Sequence, residues 1–264
     1  MARTALMNVM VQAVLKAGRG LARDFGEVEN LQVSLKGPGD FVTAADRKAD
    51  KTLIAELGKA RTTYGFLTEE SGDIEGSDRG NRWIIDPLDG TTNFLHGIPL
   101  FAISVALERE GKIVAGVIYN PVLNELYTAE RGTGVFLNDR RLRVAARKAL
   151  ADALVGSGVP HLGNPDAGEA DFTRRINERT SGVRCLGSAA IELAWVASGR
   201  YDAYWHYRLH PWDFAAGALM VREAGGYVSD ATGREKQNDR GSVVAGNQAI
   251  HTELLALLAG KTAG

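Results

Sequence analysis

The sequence predicts a layered protein of mixed α and β structure, and three observations support this. Its 264 residues suffice for one large domain with a substantial core. Three strand-like runs follow one another between residues 101 and 129, as in an antiparallel meander. Beyond residue 150, helical and strand patterns alternate instead. We therefore expect a single domain with an N-terminal α+β half over residues 1–150, containing an antiparallel sheet, and a C-terminal α/β half over residues 151–264.

The composition excludes several classes of protein. The chain has 31 basic and 32 acidic residues, for a net charge of −1, and an isoelectric point near 6.5. This balance argues against a polycationic protein that binds nucleic acid or a membrane surface. Cys185 is the single cysteine, which rules out an intramolecular disulfide and a thiolate metal site. No apolar run approaches the roughly 18 residues of a membrane span.

The first 25 residues predict an amphipathic helix. Leu6, Met10, Val14, Ala17 and Leu21 recur on one face of a helix with 3.6 residues per turn. The basic residues of this stretch also weakly resemble a transit peptide, but polar residues interrupt any signal-peptide core. We favour the first helix of a cytoplasmic domain.

The elements that follow are read from capping residues and hydrophobic periodicity. Residues 36–40 contain two glycines and a proline, which predicts a loop. Thr43 is a predicted N-cap, with Asp46 three residues later, for a helix that runs to about residue 59. Later helices are predicted at residues 172–179, 189–197, 214–224 and 248–258. Strands are predicted at residues 64–68, 82–86, 101–107, 112–119, 124–129, 153–156, 201–205, 226–229 and 242–245.

The most informative stretch runs from Asp86 to Asn93 and reads Asp-Pro-Leu-Asp-Gly-Thr-Thr-Asn. Two carboxylates this close repel each other unless a cation lies between them, and oxygen ligands suit Mg²⁺. The amides of Gly90 and Thr91, at the start of a predicted short helix, would form an anion pocket beside that cation. A metal next to an anion pocket indicates phosphoryl chemistry. Alternatively, Asp86 caps a strand end and Asp89 is a turn residue.

Other acids fit the same pattern. Glu69 follows the preceding predicted strand, so a parallel or adjacent pairing of the two strands would place it near Asp86. Asp213 begins a helix far along the chain, as Asp46 does. Taken singly, a solvated turn explains Glu69 and helix caps explain the two aspartates.

Three acidic motifs together resemble those of the inositol monophosphatase family. They are Glu69-Glu-Ser71, the segment from Trp83 to Phe94, and Trp212-Asp-Phe-Ala-Ala-Gly217. The resemblance spans nearly the whole chain and is closest to the bacterial SuhB-type branch, on the evidence of residues 211–217 and 221–226. It implies a layered αβαβα sandwich of the sugar-phosphatase type, shared by inositol monophosphatase and fructose-1,6-bisphosphatase.

The resemblance also implies a cofactor of two to three Mg²⁺ ions. Glu69, Asp86 and the carbonyl of Leu88 would hold the first ion. Asp86, Asp89 and Asp213 would hold the second, and a third would bind more weakly near Glu69.

The same resemblance implies the roles of the remaining residues. Glu69 and Thr91, oriented by Asp46, would activate a water for in-line attack on phosphorus, and the amides of Gly90 and Thr91 would hold phosphate oxygens. The residues expected at the substrate are Leu88, Asp89, Gly90, Thr91, Arg184, Gly187, Ser188, Ala189, His206 and Asp213.

One position departs from the family pattern. His206 occupies the place where many members have a glutamate that accepts hydrogen bonds from hydroxyls of the substrate ring. A neutral imidazole accepts through one nitrogen and a cationic one accepts through none. His206 therefore predicts a less acidic alcohol pocket, or else it is a solvent-facing residue at a strand end. Arg184 approaches the substrate or forms an exposed ion pair.

The resemblance implies Mg²⁺-dependent hydrolysis of inositol 1-phosphate. The alternatives are the same chemistry on histidinol phosphate, a sugar phosphate or a nucleotide-derived monophosphate. A role in ribosomal RNA transcription through RNA polymerase, or a binding module without catalysis, also stays open. We expect a cytoplasmic homodimer without membrane or direct nucleic-acid contacts, since the net charge gives no support for RNA binding.

Overall fold

The computed structural model describes residues 3–27, 33–37, 40–158, 167–235 and 239–260. Its helices are α1 (Ala5–Phe25), α2 (Ala44–Ala60), α3 (Thr91–Leu95), α4 (Ala167–Asn177), α5 (Ala189–Ala197), α6 (Pro211–Glu223) and α7 (Gln248–Leu258). Its strands are β1 (Val33–Gly37), β2 (Asp40–Thr43), β3 (Tyr64–Thr68), β4 (Gly72–Ile74), β5 (Asp78–Asp89), β6 (Ala102–Arg109), β7 (Lys112–Asn120), β8 (Glu125–Glu130), β9 (Gly134–Leu137), β10 (Arg140–Arg141), β11 (Leu154–Ser157), β12 (Gly182–Arg184), β13 (Ala203–Leu209), β14 (Tyr227–Ser229) and β15 (Gly241–Gly246). None of the helices within these described ranges has both the length and the apolarity to cross a membrane.

The strands form an eight-stranded sheet, a five-stranded sheet and the β1–β2 hairpin. The eight-stranded sheet has the order β10-β9-β8-β7-β6-β5-β3-β4. Within it β3 and β5 run parallel, whereas the other neighbours run antiparallel. The five-stranded sheet has the order β12-β11-β13-β15-β14, with β11 parallel to both of its neighbours.

Five layers follow from the alternation of side chains along the strands. In β5, Trp83 and Ile85 belong to the core formed with α1 and α2, while Ile84 belongs to the core formed with α5 and α6. In β13, Tyr204 joins the same α5–α6 core, and Trp205 joins the core formed with α4 and α7. Each sheet is thus covered on both faces. The predicted αβαβα sandwich is confirmed.

The first two helices begin at capping residues, and the cap of α2 is the predicted Thr43. The Thr4 side chain accepts a hydrogen bond from the Met7 amide at the start of α1. Thr43 and Asp46 form a reciprocal capping box at the start of α2. The predicted apolar face of α1 packs against α2 and the eight-stranded sheet.

Two local predictions are wrong. Residues 36–40 were expected to form a loop, but Gly37 ends β1 and Asp40 begins β2, and these two residues pair across the hairpin. Extended backbone accommodates glycine, so Gly37 takes part in the strand pairing. The rest of the predicted loop, Pro38 and Gly39, lies outside the described residues. The strand expected to end at Asp86 continues to Asp89. A register shift in its pairing with β6 lies between Asp86 and Asp89, around Pro87, so the sheet absorbs the proline.

Two helical glycines differ in the space around them, and this difference predicts opposite effects on stability. A methyl group built on Gly217 lies 2.5 Å from Cβ of Leu193, whereas one built on Gly20 of α1 has nothing within 4 Å. Gly217→Ala is expected to lower the free energy of unfolding by about 1–3 kcal/mol. Gly20→Ala is expected to raise it by about 1 kcal/mol. Urea denaturation measures both, and effects of the same sign would contradict the packing argument.

Candidate active site

Carboxylates from two strands and one helix meet at one edge of the eight-stranded sheet. Glu69 directly follows β3, and its amide donates a hydrogen bond to the Ile85 carbonyl of β5 over 3.1 Å. Thr68 pairs in parallel with Ile85, which places Glu69 beside Asp86. The expectation that strand pairing brings these two acids together is confirmed.

Burial raises the pKa of all three aspartates, and repulsion by neighbouring acids adds to the rise for Asp86 and Asp213. Burial raises the pKa of Asp86 well above its usual value, and the charges of Glu69, Asp89 and Asp213 raise it further. Burial, followed by the charge of Asp89, likewise raises the pKa of Asp213. Burial raises the pKa of Asp89 to about 6, against hydrogen bonds that lower it. The four carboxylates are therefore electrostatically coupled, and positive charge between them would relieve the repulsion.

Each of the three aspartates has one oxygen held by the protein. The Leu88 amide donates to Asp86 Oδ1 over 2.9 Å, and the His210 amide donates to Asp213 Oδ2 over 2.7 Å. The Ser188 hydroxyl donates to Asp89 Oδ2 over 2.6 Å, and the Ala190 amide donates to the same oxygen over 2.7 Å. These bonds fix the orientation of each carboxylate.

The donor set fits a hard divalent cation. The second oxygens of Asp86 and Asp213 form no hydrogen bond with any residue that the structure describes, so they remain open to another ligand. All donors are carboxylate or carbonyl oxygens, which Mg²⁺ prefers. Among the described residues, no three His, Cys, Asp or Glu side chains already form a compact ligand set.

A hydrogen-bonded pair, Asp46 and Thr91, lies next to these acids. The Thr91 Oγ1 atom is 3.1 Å from both Asp46 Oδ1 and the Leu88 carbonyl oxygen. Asp46 is 1% exposed; burial raises its pKa, while hydrogen bonds from Thr43 and Thr91 oppose the shift. A threonine hydroxyl has one proton, and here both of its neighbours are acceptors. The hydroxyl therefore donates inward and keeps its lone pairs for a donor in the site.

The loop before α5 packs on the segment that follows Asp89. Gly90 has φ +96°, and a side chain there would meet the carbonyls of Leu100 and Gly187. The Asn93 side-chain amide donates to the carbonyls of Leu100 and Leu186, over 2.7 and 2.6 Å. The expected substrate residues Gly90, Gly187, Ser188 and Ala189 are thereby brought together.

The other two expected substrate residues, Arg184 and His206, form hydrogen bonds with near neighbours in the chain. Arg184 is exposed, and its guanidinium donates to the carbonyl of Val183 over 3.0 Å. The His206 Nδ1 atom accepts from the Arg208 amide over 3.1 Å, and the edge of its ring lies against Gly158. The position of His161, a histidine without an assigned role, lies outside the described residues.

Sequence reasoning missed three residues that shape the site. Asn93 was part of the acidic motif but had no assigned role. Glu192, a buried acid in α5, accepts from the Leu186 amide over 3.3 Å, and burial raises its pKa, followed by the effect of the Asp89 charge. In the sequence, Glu192 could have been found as the single carboxylate within an otherwise apolar predicted helix. The positive charge of Arg240 lowers the pKa of Asp213, and no local pattern in the sequence indicates this.

Comparisons with known proteins agree with one another. A model of the inositol monophosphatase family matches residues 3–262. The inositol-1-monophosphatase of Mesorhizobium japonicum is 63% identical over 256 residues, which are 97% of this chain and 96% of that protein. The Nus factor SuhB of Pseudomonas aeruginosa is 43% identical over 258 residues, covering 96% of this chain and 95% of that one. The crystal structure of the extragenic suppressor protein suhB from Bartonella henselae matches with a TM-score of 0.93 and 55% identity, over 97% of this chain and 98% of that chain.

Proposed function

This chain belongs to the inositol monophosphatase family, and we propose that it is a Mg²⁺-dependent phosphatase that hydrolyses inositol 1-phosphate to inositol and phosphate. The observation that carries the proposal is the electrostatic coupling of Glu69, Asp86, Asp89 and Asp213 beside the Asp46–Thr91 hydrogen bond. A cation site next to a fixed hydroxyl supplies what hydrolysis of a phosphate ester needs. We place the enzyme in the cytoplasm as a homodimer.

In this proposal the coupled carboxylates hold the metal. Glu69, Asp86 and the Leu88 carbonyl would hold one ion, and Asp86, Asp89 and Asp213 would hold a second. When bound, Mg²⁺ supplies charge that neutralises the phosphate oxygens and makes a nearby water more acidic. The hydrogen bonds from Ser188, Ala190 and His210 hold Asp89 and Asp213 in orientation for this task.

The attacking water is positioned by Glu69 and Thr91. In this proposal Asp46 is ionised and accepts a hydrogen bond from the Thr91 hydroxyl, so the Thr91 oxygen is left to accept a hydrogen bond from the water. Glu69 then takes one proton of the water as its oxygen attacks phosphorus. The bond from phosphorus to the alcohol oxygen breaks, and the proton returns from Glu69, through solvent, to that departing oxygen. The Gly90 and Thr91 amides hold the phosphate oxygens. The Gly187–Ala189 turn, which packs on Gly90, faces the alcohol half of the substrate.

Removing the Thr91 hydroxyl tests this arrangement. Thr91→Val is expected to lower kcat about 100-fold with little change in KM, because the attacking water loses its acceptor. Thr91→Ser keeps the hydroxyl and serves as the matched control, with kcat close to the native value. Steady-state phosphate release measures both variants. Native turnover in the valine variant would remove Thr91 from the mechanism.

The function itself is tested by phosphate release with Mg²⁺ and with a chelator. The substrates are inositol 1-phosphate, histidinol phosphate, fructose 1,6-bisphosphate, adenosine 3′,5′-bisphosphate and glycerol 2-phosphate. A Mg²⁺-dependent preference for inositol 1-phosphate is the expected result. Preference for another compound would keep the chemistry and change the substrate, and no hydrolysis of any would overturn the proposal.

The second candidate substrate class, another small phosphate, is favoured by the geometry of His206. Since its Nδ1 accepts from the Arg208 amide, the neutral ring carries its proton on Nε2, and that nitrogen cannot accept a hydrogen bond from a substrate hydroxyl. His206→Glu restores an acceptor for ring hydroxyls. We expect it to raise kcat/KM for inositol 1-phosphate, relative to glycerol 2-phosphate, by roughly tenfold. His206→Gln is the size-matched control, and an unchanged ratio in the glutamate variant would exclude His206 from the pocket.

A role in transcription is a further candidate, and one relative named Nus factor SuhB favours it. We propose association with RNA polymerase alongside catalysis, and not direct contact with RNA. Co-purification with the host polymerase, with a variant at Asp89 as a second bait, tests this role separately from catalysis.

A further inference from the structure

A charged groove lies between α1 and α2, on the helical layer that covers the eight-stranded sheet. It encloses about 260 Å³. Its floor includes the small residues Ala17, Gly20 and Ala49, which leave space between the two helices. Four cations form its basic rim: Lys16, Arg19, Arg23 and Lys48. None of the residues assigned to the metal or to the substrate lines this groove.

The basic rim has an excess of positive charge. Asp24 is the one acid among the lining residues, against four cations, in a chain whose net charge is −1. Asp24 Oδ1 lies 2.8 Å from Arg23 Nη2, and Asp24 Oδ2 lies 3.4 Å from Lys48 Nζ, so this one carboxylate forms ion pairs with two cations. Glu56, beyond the rim, is likewise shared between Lys16 and Lys59.

These ion pairs leave the cations available. The side chains of Lys16, Arg23 and Lys48 are 51%, 60% and 55% exposed, and exposed ion pairs are worth less than about 1 kcal/mol. Arg19 is exposed and has no ion-pair partner among the described residues. An incoming anion can therefore replace these ion pairs at a small cost in free energy.

We propose that this groove binds a small anion that carries two phosphate-type charges. Lys16, Arg19 and Arg23 recur on one face of α1, and the ends of this row are about 10 Å apart along the helix. Lys48 faces them from α2. That span and the groove volume of about 260 Å³ suit two linked phosphates. This site is separate from the carboxylate site and does not depend on the proposed function.

The probe for the test is pyrophosphate, titrated calorimetrically in the presence of EDTA at low ionic strength. Without divalent cations the carboxylate site lacks the positive charge that would hold an anion, and comparison with the variants gives the share of the heat that comes from the groove. One equivalent is expected to bind. Arg19→Ala combined with Lys48→Ala is expected to weaken binding about tenfold or more, through the loss of charge-assisted hydrogen bonds.

Two further variants separate the groove from general charge. Gly20→Leu fills the groove and keeps every cation, and a side chain there begins in open space; it is expected to weaken binding about tenfold. The matched control, Arg47→Ala with Lys51→Ala, removes two exposed cations of α2 that do not line the groove. It is expected to change affinity less than about twofold.

Three results would overturn the proposal. The first is no binding at millimolar pyrophosphate. The second is equal weakening by the control and by the variants of the basic rim. The third is retention of native affinity by Gly20→Leu, with its circular dichroism spectrum unchanged. Turnover of inositol 1-phosphate by Gly20→Leu, measured in parallel, shows that the carboxylate site is intact.

Discussion

Asp89→Asn is expected to abolish turnover and to leave the protein folded. The change removes one negative charge from the proposed metal set, while the asparagine carbonyl still accepts from the Ser188 hydroxyl and the Ala190 amide. We expect kcat/KM to fall on the order of 10³-fold or more, since metal-ion activation of the water is lost. Phosphate release at saturating Mg²⁺ measures the loss. Retained Mg²⁺-dependent activity would refute the metal assignment.

The same substitution has a predicted effect on stability in the chelated protein. The pKa of Asp89 is raised from 3.8 to about 6, so its ionised form is disfavoured in the fold. The contribution of Asp89 to the free energy of unfolding is fully present below its unfolded pKa and is lost as the pH rises through 6. At pH 7 the cost is about 3 kcal/mol, and the asparagine avoids it. Urea denaturation in EDTA should show the variant gaining stability over the native chain between pH 4 and pH 7, and a constant difference would contradict the shift.

Removal of divalent cations is expected to stop catalysis and to lower the melting temperature. A cation that binds the folded chain at 100 times its Kd adds about 2.7 kcal/mol to the free energy of unfolding. For a chain of this size that corresponds to roughly 5–10 °C. The carboxylates must be ionised to bind metal, so the shift should shrink below pH 6.

Differential scanning calorimetry with Mg²⁺ and with EDTA measures this shift. Asp89→Asn is the matched control, because it keeps the fold and loses one ligand charge, so its Mg²⁺-induced shift should be smaller. Full activity in EDTA, or equal shifts for both proteins, would exclude the proposed metal centre.

Local signals in the sequence were sufficient for several elements of the fold. The bounds of α5 and α7 match the predicted residues 189–197 and 248–258. Both helices have a polar N-cap, Ser188 and Asn247, directly before an apolar periodic run. The position of Glu69 beside Asp86 was predictable because each of two neighbouring predicted strands is followed by, or ends in, an acidic residue.

The remaining features depend on partners that are distant in the chain. The edge strands β4, β10 and β12 are short, and only pairing with a neighbour makes them strands. Asn93 acts through the carbonyl of Leu186, which is 93 residues away. The charge of Arg240 lowers the pKa of Asp213 because Arg240 directly precedes β15, and β15 pairs with β13, which leads into α6. No local pattern contains this information.

Two acids of the proposed site are also parts of helix caps. Asp46 accepts from the amide of Thr43 at the start of α2, and Asp213 accepts from the amide of His210 at the start of α6. In a duplicated gene whose product no longer turns over substrate, selection for folding alone would preserve both residues, since a lost cap costs about 1 kcal/mol. Finding these two aspartates in a genome is therefore poor evidence that a paralogue is still an enzyme. The complete set with Glu69, Asp86 and Asp89 is the stricter criterion.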